Sequence, residues 1–405
     1  MALVCKPQIE VDEIVLEMDE QNEQGAKDIM HSWGNLMPVI KIGEHVLSAG
    51  ELTYFELNVG IGTVPKFTMS VYDQSLMIRK NLKDDIDKCV VFIGFKDWYI
   101  KFNGIIRNTY SEAGDEILTL SGELHNDLLY SATEQKSYKQ QNITDILTDV
   151  CSITKMGLYT TDNKWINTEQ EQVINTGMHQ IDFFEYCIEH FTENLWCIDP
   201  LYHFHIGDVE ELRKRCESGD LDKYTLTNSG EQVPETPIIF TSKIYREDEE
   251  KENEKIQVDF YTINSNFTDM LLRNHSQMYI NDEEHEIVTD ATRGLGTQFF
   301  NTYPGNGTDD NTGFVAKVNP LYEERVNKLI GGVLIELTLK NLLFEISPFD
   351  VVGFECYLPQ NNGEPMKLDE EHSGNKIVIG YSYYFERPVS QRDRLPSITQ
   401  KIQLI

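Results

Sequence analysis

From about Leu36 onward, apolar and polar residues alternate in short runs, the two-residue period of half-buried β-strands. Such runs occupy Met37 to Ile42, Leu52 to Val59, Lys66 to Tyr72, Cys89 to Phe95, Tyr99 to Arg107 and Glu116 to Ser121, and Gly, Pro, Asn or Asp separates most of them. In Phe67-Thr68-Met69-Ser70-Val71-Tyr72-Asp73, the apolar Phe67, Met69 and Val71 share one face while Thr68 and Ser70 share the other. Six strands in so short a stretch predict a small antiparallel barrel or sandwich.

The period then changes. Ile143, Ile146, Leu147 and Val150 recur at helical spacing after Asn142, a residue type suited to an N-cap. Ile181, Phe184, Ile188 and Phe191 repeat that rhythm between Gln180 and Asn194, and a strand follows at Leu201 to Ile206. Residues 131–212 therefore read as a small α/β element. Strands return at Ile238 to Tyr245, Lys255 to Ile263, Gly332 to Leu342, Val351 to Leu358, Lys376 to Glu386 and Ser397 to Leu404. Val333, Ile335, Leu337 and Leu339 alternate strictly with Leu334, Glu336, Thr338 and Lys340, so one face of that strand is expected in a core. The highly charged stretch Glu247 to Glu254 reads as a solvated loop. Residues 264–327 interrupt the second β set and include the turn-rich run Pro304 to Gly313.

The two β sets end alike. Lys101 to Arg107 leads through a polar loop to Ile117-Leu118-Thr119-Leu120, and Ile377 to Tyr383 leads through Arg392-Asp393-Arg394 to Ile398 and Ile402-Gln403-Leu404. An apolar strand precedes each, Asp87 to Phe95 and Asp350 to Leu358. The expectation is one β-barrel present twice, flanking the α/β element. It divides the chain into an acidic N-terminal arm (1–35), a first barrel (36–130), the α/β element (131–212), a second barrel (213–263 and 328–405) and an insertion within it (264–327).

Length agrees with this division, since 405 residues suggest roughly two to three domains. Charge narrows the function. Lys and Arg number 35 against 67 Asp and Glu, a net charge of −32 that argues against binding duplex DNA or anionic membranes through the whole surface. The first residues are acidic and lack the form of a secretory signal, and no apolar stretch is long enough to cross a membrane as a helix. The expectation is a soluble protein made inside the cell. The arm carries Glu10, Asp12, Glu13, Glu17, Asp19, Glu20, Glu23 and Asp28 against Lys6 and Lys27, with enough apolar residues to order on a partner.

Chemistry is sparse. The seven cysteines are scattered with no C-x-x-C pair, which disfavours a disulfide framework or a zinc knuckle. Phosphate loops, dinucleotide fingerprints and nucleophile elbows are missing, and Arg293-Gly294-Leu295-Gly296 reads as a turn. The best metal candidates are Cys187 and His190 on one predicted helix with His203 and His205 on the following strand. Their spacing matches zinc patterns loosely, and alternating histidines on a strand more often face solvent. The carboxylate pairs Asp84-Asp85, Glu283-Glu284, Glu323-Glu324 and Glu370-Glu371 follow from composition and read as solvated faces. No catalytic, cofactor or metal residue is assigned, and the expectation is a non-enzyme that needs no cofactor. The rival readings are a metal- or carboxylate-dependent hydrolase using the α/β element, and a secreted β-rich carbohydrate-binding protein.

The run Phe67 to Asp73 followed by Cys89 to Gly94, the helix-then-strand block Gln180 to Gly207 and the closing strands Ile377 to Ile405 resemble the baseplate hub proteins of contractile-tailed phages, which share their architecture with late-control proteins and type VI secretion spikes. The resemblance implies an α+β, mainly β fold with two tube-type antiparallel barrels. It implies a structural virion protein of the tail baseplate, assembled in the host cytoplasm. Its expected partners are two further copies of itself in a pseudo-sixfold ring, the hexameric tail tube and the trimeric central spike, with tape-measure and baseplate-wedge proteins as further contacts. DNA would pass through the enclosed channel during genome ejection without specific binding, and no membrane is involved.

Overall fold

The computed structural model describes residues 2–12, 14, 37–48, 50–73, 76, 78–79, 82, 88–95, 98–111, 116–132, 135–161, 164–192, 194–224, 236–244, 255–264, 275–280, 283–288, 297–299, 334–339, 342–358, 366–387 and 398–405. Most of the arm, the acidic loop 247–254, Val333 and the run 304–313 lie outside the described residues.

Strand β1 (Ala2–Cys5) is followed by a first β unit of β2 (Val39–Ile42), β3 (His45–Val46), β4 (Leu52–Gly60), β5 (Lys66–Tyr72), β6 (Lys88–Phe95), β7 (Trp98–Tyr110) and β8 (Ile117–Leu124). The α/β element contributes β9 (Lys136–Asn142), β10 (Gly157–Thr160), β11 (Glu169–Asn175), β12 (Asn194–Ile198) and β13 (His203–Asp208). Two short strands, β14 (Lys223–Tyr224) and β15 (Thr236–Pro237), lead into β16 (Ile239–Thr241), β17 (Ile256–Gln257) and β18 (Phe260–Asn264). The insertion holds a separate three-stranded sheet of β19 (His275–Ile280), β20 (Glu283–Val288) and β21 (Thr297–Phe299). The second unit is completed by β22 (Leu334–Leu339), β23 (Val351–Glu355), β24 (Tyr357–Leu358), β25 (Lys367–Leu368), β26 (Gly374–Glu386) and β27 (Thr399–Leu404).

The alternation in sequence becomes alternation of burial. Phe67, Met69 and Val71 are buried on β5, and Ile335, Leu337 and Leu339 on β22, while the residues between them are only partly covered. The buried amide of Gln400 is satisfied by the backbone of Leu343, accepting from its N–H and donating to its carbonyl, so a loop is pinned to β27 without a lost hydrogen bond.

The two β units share one topology. Neighbours in the first run β4-β5-β8-β7-β6, and in the second β18-β22-β27-β26-β23. A bulge falls at the same place in each, between Ile106 and Asn108 on β7 and between Val378 and Gly380 on β26. Counting from it, the row Leu120–Met69–Phe55 corresponds to Ile402–Leu337–Tyr261. The repeat is thus a residue-by-residue match.

Between the units, the sheet β1-β10-β13-β12 is packed by the helices Ile143–Thr154 and Gln180–Phe191. Asn142 caps the first helix, its side chain accepting from the backbone N–H of Asp145. The second delivers Phe184, whose ring stacks on Phe204 of β13 with centroids 3.9 Å apart. The arm begins docked on its own chain: β1 pairs with β10, Asn103 donates to the carbonyl of Glu10, and Ile14 packs with Val39, Val90 and Phe92. Among the described residues no helix is long and apolar enough to cross a membrane.

Candidate functional site

The fold joins its two units strand to strand. β4 of the first pairs antiparallel with β26 of the second, from Gly60 opposite Gly380 to Tyr54 opposite Glu386, so among the described residues fourteen strands make one sheet. On the core face Phe55 stands opposite Phe385, both buried. On the polar face the rings of Tyr54 and Tyr384 meet edge to face at 5.6 Å, and their hydroxyls donate to Glu56 and Glu386. Burial, then the carboxylate beside each, raises both phenols, Tyr384 to about 12. Gly380 is required for close approach, because a β-carbon there would lie 2.7 Å from the carbonyl oxygen of Val59.

The repeat carries this junction to two edges of the molecule. In the matched register β18 stands where β4 stands, with Phe260 in place of Tyr54, Tyr261 of Phe55, Thr262 of Glu56 and Ile263 of Leu57. Among the described residues β18 has β22 as its single strand neighbour, and Phe260 is 62% exposed. β7 beyond its bulge stands where β26 stands. β6 ends opposite Ile105, so among the described residues no strand flanks Asn108 and Thr109 on the side that β26 gives to β4.

The sheet's other face is polar through the junction. It presents Thr119 and Ser121, Thr68 and Ser70, Glu56 and Asn58, Ser382 and Tyr384, Lys401 and Gln403, and Glu336 and Thr338. Hydroxyls dominate it, and its charges are partly matched: Lys401 pairs with Glu336 at 3.1 Å and Arg107 with Glu123 at 2.9 Å.

The four residues weighed as metal ligands do not converge. Cys187 is buried in the core side of its helix, and burial pushes its thiol up. His190 lies at the helix end, its Nδ1 3.1 Å from the carbonyl oxygen of Tyr186. His203 and His205 share a strand face but not a solvent face; their side chains are 14% and 3% exposed. Both rings meet Asp199, a residue that sequence reasoning passed over, with Oδ2 3.1 Å from His203 Nδ1 and 2.8 Å from His205 Nε2. Burial alone would raise the Asp199 carboxyl, but the two imidazole hydrogen bonds outweigh it and hold the group well below the usual carboxylate range. The available signal was Asp199-Pro200 opening a tight turn four residues before His203. A second group, Asp369, Glu371 and His372, sits on an exposed turn. Of the carboxylate pairs, Glu370 and Glu371 are exposed on that turn, and the other side chains lie outside the described residues.

No protein-family model matches the chain, and no curated protein matches it. Among solved structures it is similar to the tail protein from Neisseria meningitidis MC58, at 12% identity over 91% of this chain and 95% of that one, with a TM-score of 0.51. The 43 kDa tail protein of prophage MuSo2 from Shewanella oneidensis aligns at 10% identity over 91% and 97%, with a TM-score of 0.49. A type VI secretion component of E. coli, c3393, aligns at 12% identity over 90% and 76%, with a TM-score of 0.42. The first likeness shows the fold. The mainly β, tail-protein fold expected from the sequence is the fold of this chain.

Proposed function

We infer that the chain is a structural tail protein that works as a homotrimeric baseplate hub. Its trimer joins a hexameric tail tube to a threefold spike and encloses the channel through which DNA leaves. The observation that carries the reading is the in-chain junction between two topologically equivalent β units. Two such units per chain make six around a threefold axis, and a head-to-tail contact closes a ring when its rotation does. The pairing that links β4 to β26 within a chain is then repeated between chains. β18 of one protomer lies along β7 of the next, and Asn264 of the neighbouring protomer faces Tyr110, as Asn58 faces Ser382. The exposed Phe260 supports this, since its counterpart Tyr54 is packed on Tyr384. An open strand edge of this kind invites pairing.

Light scattering tests it. The full chain at tens of micromolar should run at three times its 46.8 kDa, and Phe260→Lys should shift the equilibrium toward monomer by at least tenfold. A wild-type chain that stays monomeric, even with spike protein added, refutes the ring. A trimer indifferent to Phe260→Lys keeps the ring and refutes this edge.

A further inference from the structure

We propose that Asp199, His203 and His205 form a site for one divalent transition-metal ion, Zn2+ being the ion best suited to two imidazoles and a carboxylate. The ligand atoms are Asp199 Oδ2, His203 Nδ1 and His205 Nε2, all within 4.8 Å of one another. Zinc bonds of about 2.0–2.1 Å in a tetrahedron set neighbouring ligands about 3.3 Å apart. The two contacts to Oδ2, 3.1 and 2.8 Å, need to open by no more than about half an ångström to take an ion between them.

The surroundings are built to aim these atoms. Asp199 Oδ1 accepts the backbone N–H groups of Leu201 and His203, both at 2.9 Å, which orients the carboxylate and turns Oδ2 toward the rings. Tyr159 stacks on His205, with centroids 5.1 Å apart, and lies against His203 at 5.0 Å. Gly157 leaves room for the His203 ring; a β-carbon there would come within 2.4 Å of its Cδ2. His205 Nδ1 is buried with no hydrogen-bond partner among the described residues, and the ring reaches the cluster through Nε2, 2.8 Å from Asp199 Oδ2. Three protein ligands leave one tetrahedral position for water, on the less buried His203 side.

The ion's role follows from where the site lies. It would tie the turn Asp199–Tyr202 to β13, beside β10 and the docked β1. Tyr202, held at φ 67°, accepts from the backbone N–H of Asn103 in the first unit at 2.9 Å. A metal here would staple the turn to β13 within the α/β element and so steady Tyr202 against the first unit.

The test uses the full chain, stripped with a chelator and titrated with Zn2+ by calorimetry and with Co2+ by visible absorption. One ion per chain is expected, with the intense bands of four-coordinate cobalt and a melting temperature that rises with Zn2+. His205→Ala and His203→Gln should each weaken binding at least 100-fold, whereas Cys187→Ser and His190→Ala should leave it unchanged. If His205→Ala does not fold, His203→Gln at the more open position makes the comparison alone. Absence of stoichiometric Zn2+ binding by folded wild-type chain overturns the proposal, as does equal binding by the histidine variants.

Discussion

Leu337 and Thr338 are neighbours on β22 that face opposite sides of the sheet. Leu337 is fully buried between Tyr261 and Ile402, and Thr338 stands on the polar face between Phe260 and Lys401. Leu337→Asp therefore buries a carboxylate without a partner and should cost several kcal/mol, on the order of 3–5, enough to abolish folding. Thr338→Asp puts the same charge beside an ammonium in a wet setting and should change stability by less than about 1 kcal/mol. Urea unfolding of both variants checks this, and greater damage from Thr338→Asp would reverse the assigned faces. Asp350 gives a pH signature. It is half-buried, its Oδ2 accepts from Ser347 N–H at 2.7 Å, and desolvation followed by the nearby Asp222 raises its pKa to about 8. Arg215, 2.9 Å from Asp222, offsets part of that. The folded pKa lies above the unfolded value near ~4, so the folded state keeps a proton that the unfolded chain has released. This contribution is fully present below about pH 4, declines as pH rises and is gone above about pH 8. Asp350→Asn should stabilise the protein increasingly from pH 5 to pH 9 in urea titrations. Equal stabilisation at both ends would mean the carboxylate ionises freely.

At the scale of elements, Gly380 sets the distance between β26 and β4. Gly380→Ala should push Val59 back and loosen the first pair of the junction, costing about 1–3 kcal/mol, with amide exchange in β4 and the second half of β26 rising before exchange in β5. Uniform exchange across the sheet would show that the junction is not a separate cooperative step. The strands themselves were legible because alternation is a local property: Phe67, Met69 and Val71 declare a buried face whichever strand lies beside them. So were the helix at Ile143 and its Asn142 cap. Edge pairing was not, because β4 and β26 are more than three hundred residues apart and carry no periodic mark of each other. The docking of Ala2–Cys5 was hidden by the acidic composition that follows it, since its β pairing, the hydrogen bonds of Glu10 and Asp12 to Asn103 and the packing of Ile14 carry no local periodic mark. The metal candidates failed for a similar reason. Helical spacing put Cys187 and His190 together, but packing turned Cys187 into the core, and the carboxylate that meets both histidines is one acid among 67.

The net charge of −32 suggests a channel walled with carboxylates, but the face that joins the two units is mainly hydroxyl and amide, with Lys401 and Arg107 paired to Glu336 and Glu123. On the proposed ring, DNA meets this face. Such a wall offers phosphates few free cations and so little reason to stop, because non-specific affinity comes from Lys and Arg releasing counterions. The wild-type trimer should show no duplex binding tighter than about 100 μM near 150 mM salt. The face can be made to hold DNA. Ser70 and Gln403 are partly exposed positions on it, one in each unit, so Ser70→Lys with Gln403→Lys places two new cations per chain and six around a trimer. If all six reach phosphates, log affinity should fall with log salt at a slope of about −5. Fluorescence anisotropy across a salt series measures it. A slope near −2 would mean that each chain binds alone and no ring concentrates the charges. Tight binding by the wild type would place DNA on another surface altogether.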